Sequence, residues 1–111
     1  VMAVDNDPQA VMIAEHNIEA NHLDWNIGVS GRPLAEVTGS FDLICANIVH
    51  DVLVELAPDI RRLLRPGGRL ILAGILDGKQ ERSISAVYGG LGIRAIRSEH
   101  QEEWAALLLA G

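Results

Sequence analysis

Two residues in this chain stand where side chains do chemistry in α/β proteins. Asp5 ends an apolar run, Val1-Met2-Ala3-Val4, and Asn47 ends a second one, Phe41-Asp42-Leu43-Ile44-Cys45-Ala46. If both runs are parallel strands, each delivers a polar residue to the carboxyl edge of a sheet, where open α/β sheets bind ligands. A carboxylate there accepts hydrogen bonds from both hydroxyls of a ribose. An amide there orients a neutral amine without burying a charge, and an amine must be neutral to attack as a nucleophile. The pair points to a nucleoside-containing cofactor beside an amine substrate. Each residue has a plainer rival role. Asp5-Asn6-Asp7-Pro8 is rich in turn formers, and Asn47 immediately precedes a helical pattern that it could cap.

The other reactive side chains offer less. Cys45 is the single cysteine, so no disulfide framework exists, and a buried strand cysteine is the expectation. His16, His22, His50 and His100 lack metal-ligand spacing. His16 falls on a polar helix face and His100 in a turn, while His50 lies close enough to Asn47 to line a pocket. Asp42 starts the strand that Asn47 ends, so it belongs at the opposite edge of the sheet, in a structural turn contact. Trp104, after Glu102-Glu103, is expected to pack at the sheet edge. No nucleophile–base pair is visible.

The elements that must position these residues follow from local pattern. Asp7 caps a helix that Pro8 opens, running to about Asn21 with Val11, Ala14 and Ile18 on one face. Residues 24–30 read as a weak strand, and 31–40 as a loop with one helical turn. After the strand 41–47 comes a helical stripe of Val49, Val52, Leu53, Leu56, Ile60, Leu63 and Leu64, which Pro58 should kink or restart. Pro66-Gly67-Gly68 reads as a tight turn. Arg69 to Ile75 is apolar enough for a strand covered by helices on both faces. A helix over 78–88 turns Ile84, Val87 and Tyr88 inward and ends at Gly89, Gly90 and Gly92. Residues 93–98 and 103–109 are strands whose link is too short for a parallel crossover, so they pair antiparallel. The expected fold is α/β, mostly parallel, with a terminal antiparallel hairpin.

Composition bounds the partners. The 111 residues suffice for one domain with a real core, and 49% hydrophobic with 22% charged residues is ordinary globular content. Nine basic against fifteen acidic residues give a net charge of −6. A general nucleic-acid or anionic-membrane binder would show a basic patch instead. A basic protein partner remains compatible. No apolar run is long enough to span a bilayer, and no leader pattern opens the chain.

One ordered set carries a resemblance over essentially all 111 residues: Asp5-x-Asp7-Pro8-Gln9-Ala10, Ala46-Asn47-Ile48, Leu56-Ala57-Pro58, Pro66-Gly67-Gly68-Arg69-Leu70-Ile71-Leu72-x-Gly74-Ile75-Leu76 and Glu103-Trp104. The chain resembles the catalytic domain of bacterial ribosomal protein methyltransferases of the PrmA type. The resemblance implies a Rossmann-like class I methyltransferase sheet, with 1–111 a partial domain whose first strand and Gly-rich loop are missing ahead of Val1. It implies S-adenosylmethionine as cofactor, bound by Asp5 and Asn47, with Asn47 also the catalytic-site residue. It implies methyl transfer to lysine and N-terminal amines of the eleventh large-subunit ribosomal protein, in the cytoplasm. The 111 residues alone are then expected to bind cofactor weakly. Asn47-Ile48 lacks the Pro-Pro of glutamine- and adenine-directed relatives. A same-fold methyltransferase with another acceptor, or an inactive fragment, is the alternative. A nicotinamide dehydrogenase also fits an acid after an early strand, but no proton donor accompanies it.

Overall fold

The computed structural model describes residues 2–4, 7–24 and 28–111, and of Val29 only the backbone. Asp5 therefore lies outside the described residues. The chain divides into two compact units, Val1–Val37 and Thr38–Gly111.

The first unit is a β–α–β repeat. Strand β1 (Met2–Val4) and strand β2 (Gly28–Ser30) pair in parallel, with Ala3 opposite Val29. Helix α1 (Pro8–Ala20) lies between them in the chain. Asp7 caps it by accepting a 3.0 Å hydrogen bond from the Gln9 amide, and Pro8 opens it, as the sequence predicts. Val11, Ala14 and Ile18 are half-buried on one face. A 3-10 turn at Leu34–Glu36 supplies the single helical turn expected in the loop.

The second unit carries the larger sheet. Its strands are β3 (Phe41–Asn47), β4 (Leu64–Leu76), β5 (Arg94–Gln101) and β6 (Trp104–Ala110), in the order β3-β4-β6-β5. β3 and β4 are parallel, and β6 runs antiparallel to both β4 and β5. The reversed strand is thus inserted one place in from the end, and the closing hairpin is present. Helices α2 (His50–Leu63) and α3 (Lys79–Gly90) connect β3 to β4 and β4 to β5.

Both helices bury their stripes against one face of the sheet. Leu53, Ala57, Ile60 and Leu63 of α2, with Ile84 and Tyr88 of α3, meet Leu70, Leu72, Ile75, Ala105, Leu107 and Leu109. On the strands' other side Leu43 is 56% and Ile71 38% exposed. Cys45 shares a face of β3 with Leu43 and is exposed rather than buried.

Three more expectations change. Pro58 does not restart a helix: α2 is continuous from His50 to Leu63. Pro58 is exposed, and burial of Leu53 and Ala57 before it and Ile60 and Leu63 after it holds both halves on the sheet. Val49 and Val52 do not join the buried stripe, being 64% and 37% exposed. Val49 stands before the first helical turn, as the N-cap residue. Pro66-Gly67-Gly68 turns inside β4 rather than ahead of it. The two steps from Phe41 to Leu43 on β3 face five on β4, from Leu64 to Arg69, so the tripeptide bulges out of the ladder.

Tyr88 ties the two helices together. Its hydroxyl, wholly buried, donates a 2.8 Å hydrogen bond to the Leu53 carbonyl. Burial raises its pKa to about 12. Tyr88→Phe removes the donor, and is expected to lower unfolding free energy by about 1 kcal/mol, rising toward 2 if Leu53 O loses this partner without relaxation. Urea titration of both proteins reads this. The raised pKa also sets a sign. The contribution is complete below the unfolded value of 10 and is lost as pH rises toward about 12.

Candidate functional site

A cleft of about 650 Å³ opens at the carboxyl edge of β3 and β4. Asn47, Ala73 and Gly74 form one wall, and Glu99, His100 and Trp104 stand on the other. The walls meet here because the register requires it. Asn47, the last residue of β3, pairs with Ala73, and Trp104, the first of β6, pairs with Leu76. The tip of the β5–β6 hairpin thus rises beside the strand ends that a parallel sheet offers to ligands.

Asn47 is not the cap of α2. Val49 holds that position, without a side-chain cap bond. The Asn47 side chain is exposed and makes no hydrogen bond among the described residues. Its amide oxygen faces the bulge at Gly74. Three steps of β4, Leu72 to Ile75, match two of β6, Leu107 to Ala105, so one residue is extra. Gly74 takes φ +80°, and a Cβ there would stand 2.8 Å from Asn47 Oδ1 and 3.1 Å from the Ile48 carbonyl oxygen. The bulge also shifts the phase of β4 by one residue, so that Ile75 rather than Gly74 follows Leu70 and Leu72 on the buried face.

The second wall was poorly anticipated by the sequence. Trp104 is 48% exposed in the cleft, at the end of an interior strand. His100 sits in β5 opposite Ala105 rather than in a turn. The turn is Glu102-Glu103, with Glu102 at φ +56°. His100 Nε2 donates to Glu81 Oε2 of α3 at 2.8 Å. That hydrogen bond, with the charges of Glu81, Asp77 and Glu99, raises the His100 pKa above the ordinary imidazole value. Glu99 pairs with Arg97 on the same strand. A glycine inside an apolar strand signals a bulge, so Gly74 was findable. The meeting of His100 with Glu81 was not.

His50 is absent from the cleft walls. Its Nδ1 lies 2.8 Å from Asp51 Oδ1 and its Nε2 2.9 Å from Ser83 Oγ, which joins α2 to α3. Asp42 makes the structural contact expected of it, a 2.7 Å ion pair with Arg65 at the far edge of the sheet. No group of three or more metal-ligating side chains exists among the described residues.

An α/β sheet with one reversed strand next to its end, and a cleft at its carboxyl edge, defines the class I methyltransferase fold. The crystal structure of a ribosomal protein L11 methylase from Lactobacillus delbrueckii subsp. bulgaricus matches with a TM-score of 0.90 and 28% identity, over 98% of this chain and 56% of that one. A methyltransferase from Pyrococcus furiosus shares the fold, with a TM-score of 0.81 and 24% identity over 99% of this chain and 61% of that one.

The chain belongs to the ribosomal protein L11 methyltransferase (PrmA) family, whose model matches residues 1–110. The protein of that name from Geotalea uraniireducens is 38% identical over 107 residues, 96% of this chain and 34% of the relative. Its counterpart from Brucella suis is 38% identical over 114 residues, 98% of this chain and 40% of the relative. The chain thus spans about a third of the length of the curated relatives it matches.

Proposed function

We propose that this chain is part of the catalytic domain of an S-adenosylmethionine-dependent protein N-methyltransferase. Its acceptors are amino groups, lysine side chains and an N-terminal amine, of the eleventh protein of the large ribosomal subunit. The observation that carries the reading is the Asn47 side chain, free of hydrogen bonds to described residues, at the head of a cleft on the carboxyl edge of β3. The family match over residues 1–110 supplies the substrate class. The proposed setting is the cytoplasm, where ribosomes are assembled. No helix among the described residues is long and apolar enough to cross a membrane.

The residues present suit the cofactor. Gly74 leaves open the space that a Cβ would take at Asn47 Oδ1. A neutral amide beside a sulfonium adds no charge that would hold an amine protonated. Asp5 is the proposed acceptor for the ribose hydroxyls. When bound, S-adenosylmethionine supplies an activated methyl group together with its leaving group. The protein's part is then position and desolvation. Asn47 Oδ1 accepts a hydrogen bond from the acceptor amine and turns its lone pair toward the methyl. Ala73, Gly74 and Ala105 line the cleft without a side-chain donor, and the Trp104 indole stands in the same lining.

Calorimetric titration of the intact protein tests the reading, with S-adenosylmethionine in one arm and a nicotinamide dinucleotide in the other. Heat in the first arm alone supports it, and heat in the second alone refutes it. Asp5→Ala is expected to weaken cofactor binding by about 1.5–3 kcal/mol, the scale of hydrogen bonds to a charged group. An unchanged dissociation constant would remove Asp5 from the site.

A further inference from the structure

Among the described residues, one side chain ties the first turn of α2 to another element by a hydrogen bond. Val49 caps the helix without a side-chain bond, and Asp51 and Val52 are exposed. Full burial against the sheet begins only at Leu53. His50, the first residue of the helix, behaves differently. Its side chain is 20% exposed, and both ring nitrogens are engaged. Nδ1 lies 2.8 Å from Asp51 Oδ1, and Nε2 lies 2.9 Å from Ser83 Oγ on α3. A carboxylate only accepts, so Nδ1 donates to it. The neutral ring then accepts at Nε2 from the Ser83 hydroxyl. The bond to Ser83 is partly buried and joins two elements. The bond to Asp51 runs to a carboxylate that is 96% exposed, where ion pairs contribute little.

Serine, histidine and aspartate in this order of contact have the form of a nucleophile, its base and an orienting acid. Their surroundings do not serve that chemistry. None of the three lines the cleft, and Ser83 stands inside the second turn of α3, where backbone amides are bonded within the helix. The set ties the start of α2 to α3.

That start carries the link to the site. The β3–β4 ladder ends at the pair Asn47–Ala73, so Ile48 and Val49 lie beyond it. The Ile48 carbonyl oxygen accepts no hydrogen bond among the described residues. It faces the same space beside Gly74 as Asn47 Oδ1: a Cβ there would stand 3.1 Å from the one oxygen and 2.8 Å from the other. A neutral primary amine has two N–H groups. One bond to each oxygen would leave its lone pair free to point at a methyl group.

We propose that His50, latched to Ser83, is a positioning residue for methyl transfer. It holds the Ile48–Val49 link so that the Ile48 carbonyl stays beside Asn47 Oδ1. This rests on the methyltransferase reading of the cleft. The ladder places Asn47 itself. The carbonyl after it has no such pairing, and the latch supplies the restraint.

The test compares His50→Ala, Ser83→Ala, the two combined and His50→Gln in the intact protein. Glutamine brings an amide oxygen close to the place of Nε2, so it can still accept from Ser83. Two readings are taken. One is the single-turnover rate of methyl transfer with cofactor and protein acceptor saturating. The other is amide hydrogen exchange at Leu53 and Val54, whose N–H groups close the first turn of α2, without cofactor or acceptor. The rate should fall about tenfold in His50→Ala and in Ser83→Ala, and no further in the double variant, since one contact is lost once. The acceptor KM and the cofactor dissociation constant should stay within about twofold, as for an interaction made in the transition state. Exchange at Leu53 and Val54 should quicken in the same variants, and His50→Gln should restore both readings. A latch that only stabilises the fold would quicken exchange and leave the rate alone. That result, additive losses in the double variant, or a His50→Gln rate as low as that of His50→Ala would each overturn the proposal. Wild type that transfers no methyl group ends the functional reading and this proposal together, whereas transfer by wild type with normal rates in the variants ends this proposal alone.

Discussion

Replacing Asn47 with Ala should slow methyl transfer on the order of a hundredfold in the intact protein, the loss that follows when a reacting group is misplaced by an ångström or so. The same change should shift unfolding free energy by no more than about 0.5 kcal/mol, as for surface substitutions without a structural role. The separation of the two effects follows from the structure. A capping Asn would cost roughly 1 kcal/mol of stability when truncated, but Val49 is the cap of α2 and Asn47 has no hydrogen bond among the described residues. An Asn47→Asp variant sharpens the test. It keeps the shape and adds a negative charge that favours ammonium over the free amine, so its rate should recover with rising pH. Melting curves and initial rates measured together decide the matter. Lost stability with normal turnover would return Asn47 to a structural part.

The elements that carry Asn47 were legible because their signals are local. Asp7-Pro8 announces its helix by a cap and a fixed φ. The Phe41–Asn47 strand is a short apolar run ending on a polar residue. The link between the last two strands is too short for anything but a hairpin. What stayed hidden depends on residues distant in sequence. Nothing in the run Arg69–Leu76 states that α2 and α3 share one face of the sheet. Pro58 carries a strong local signal against a continuous helix, and burial of the residues on either side overrides it. The site divides in the same way. Asn47 could be singled out from its place at a strand end. His100 and Glu81 are nineteen residues apart on different elements, and only the ladder from β4 through β6 to β5 brings them together.

Gly74→Ala should abolish detectable transfer and also lower stability, by about 1–2 kcal/mol from the left-handed backbone alone. Gly67 provides a control within the same strand. Both glycines have nearly the same φ, +80° at Gly74 and +79° at Gly67, but a Cβ at Gly67 meets nothing within 4 Å. Gly67→Ala therefore carries the backbone cost and no clash. At Gly74 the new methyl would stand 2.8 Å from Asn47 Oδ1 and 3.1 Å from the Ile48 carbonyl oxygen. The Asn47 side chain can swing away, but the Ile48 backbone must shift, and with it the start of α2. Stability should fall further in Gly74→Ala than in Gly67→Ala, by about 1–3 kcal/mol for the overpacking. Activity should separate them more sharply: Gly67→Ala keeps turnover close to wild type, while Gly74→Ala loses at least as much as Asn47→Ala. Combining Gly74→Ala with Asn47→Ala should relieve part of the clash, so the double variant should be more stable than Gly74→Ala alone and no less active. Equal stability and turnover in the Gly67 and Gly74 variants would mean that the bulge does not shape the space around Asn47.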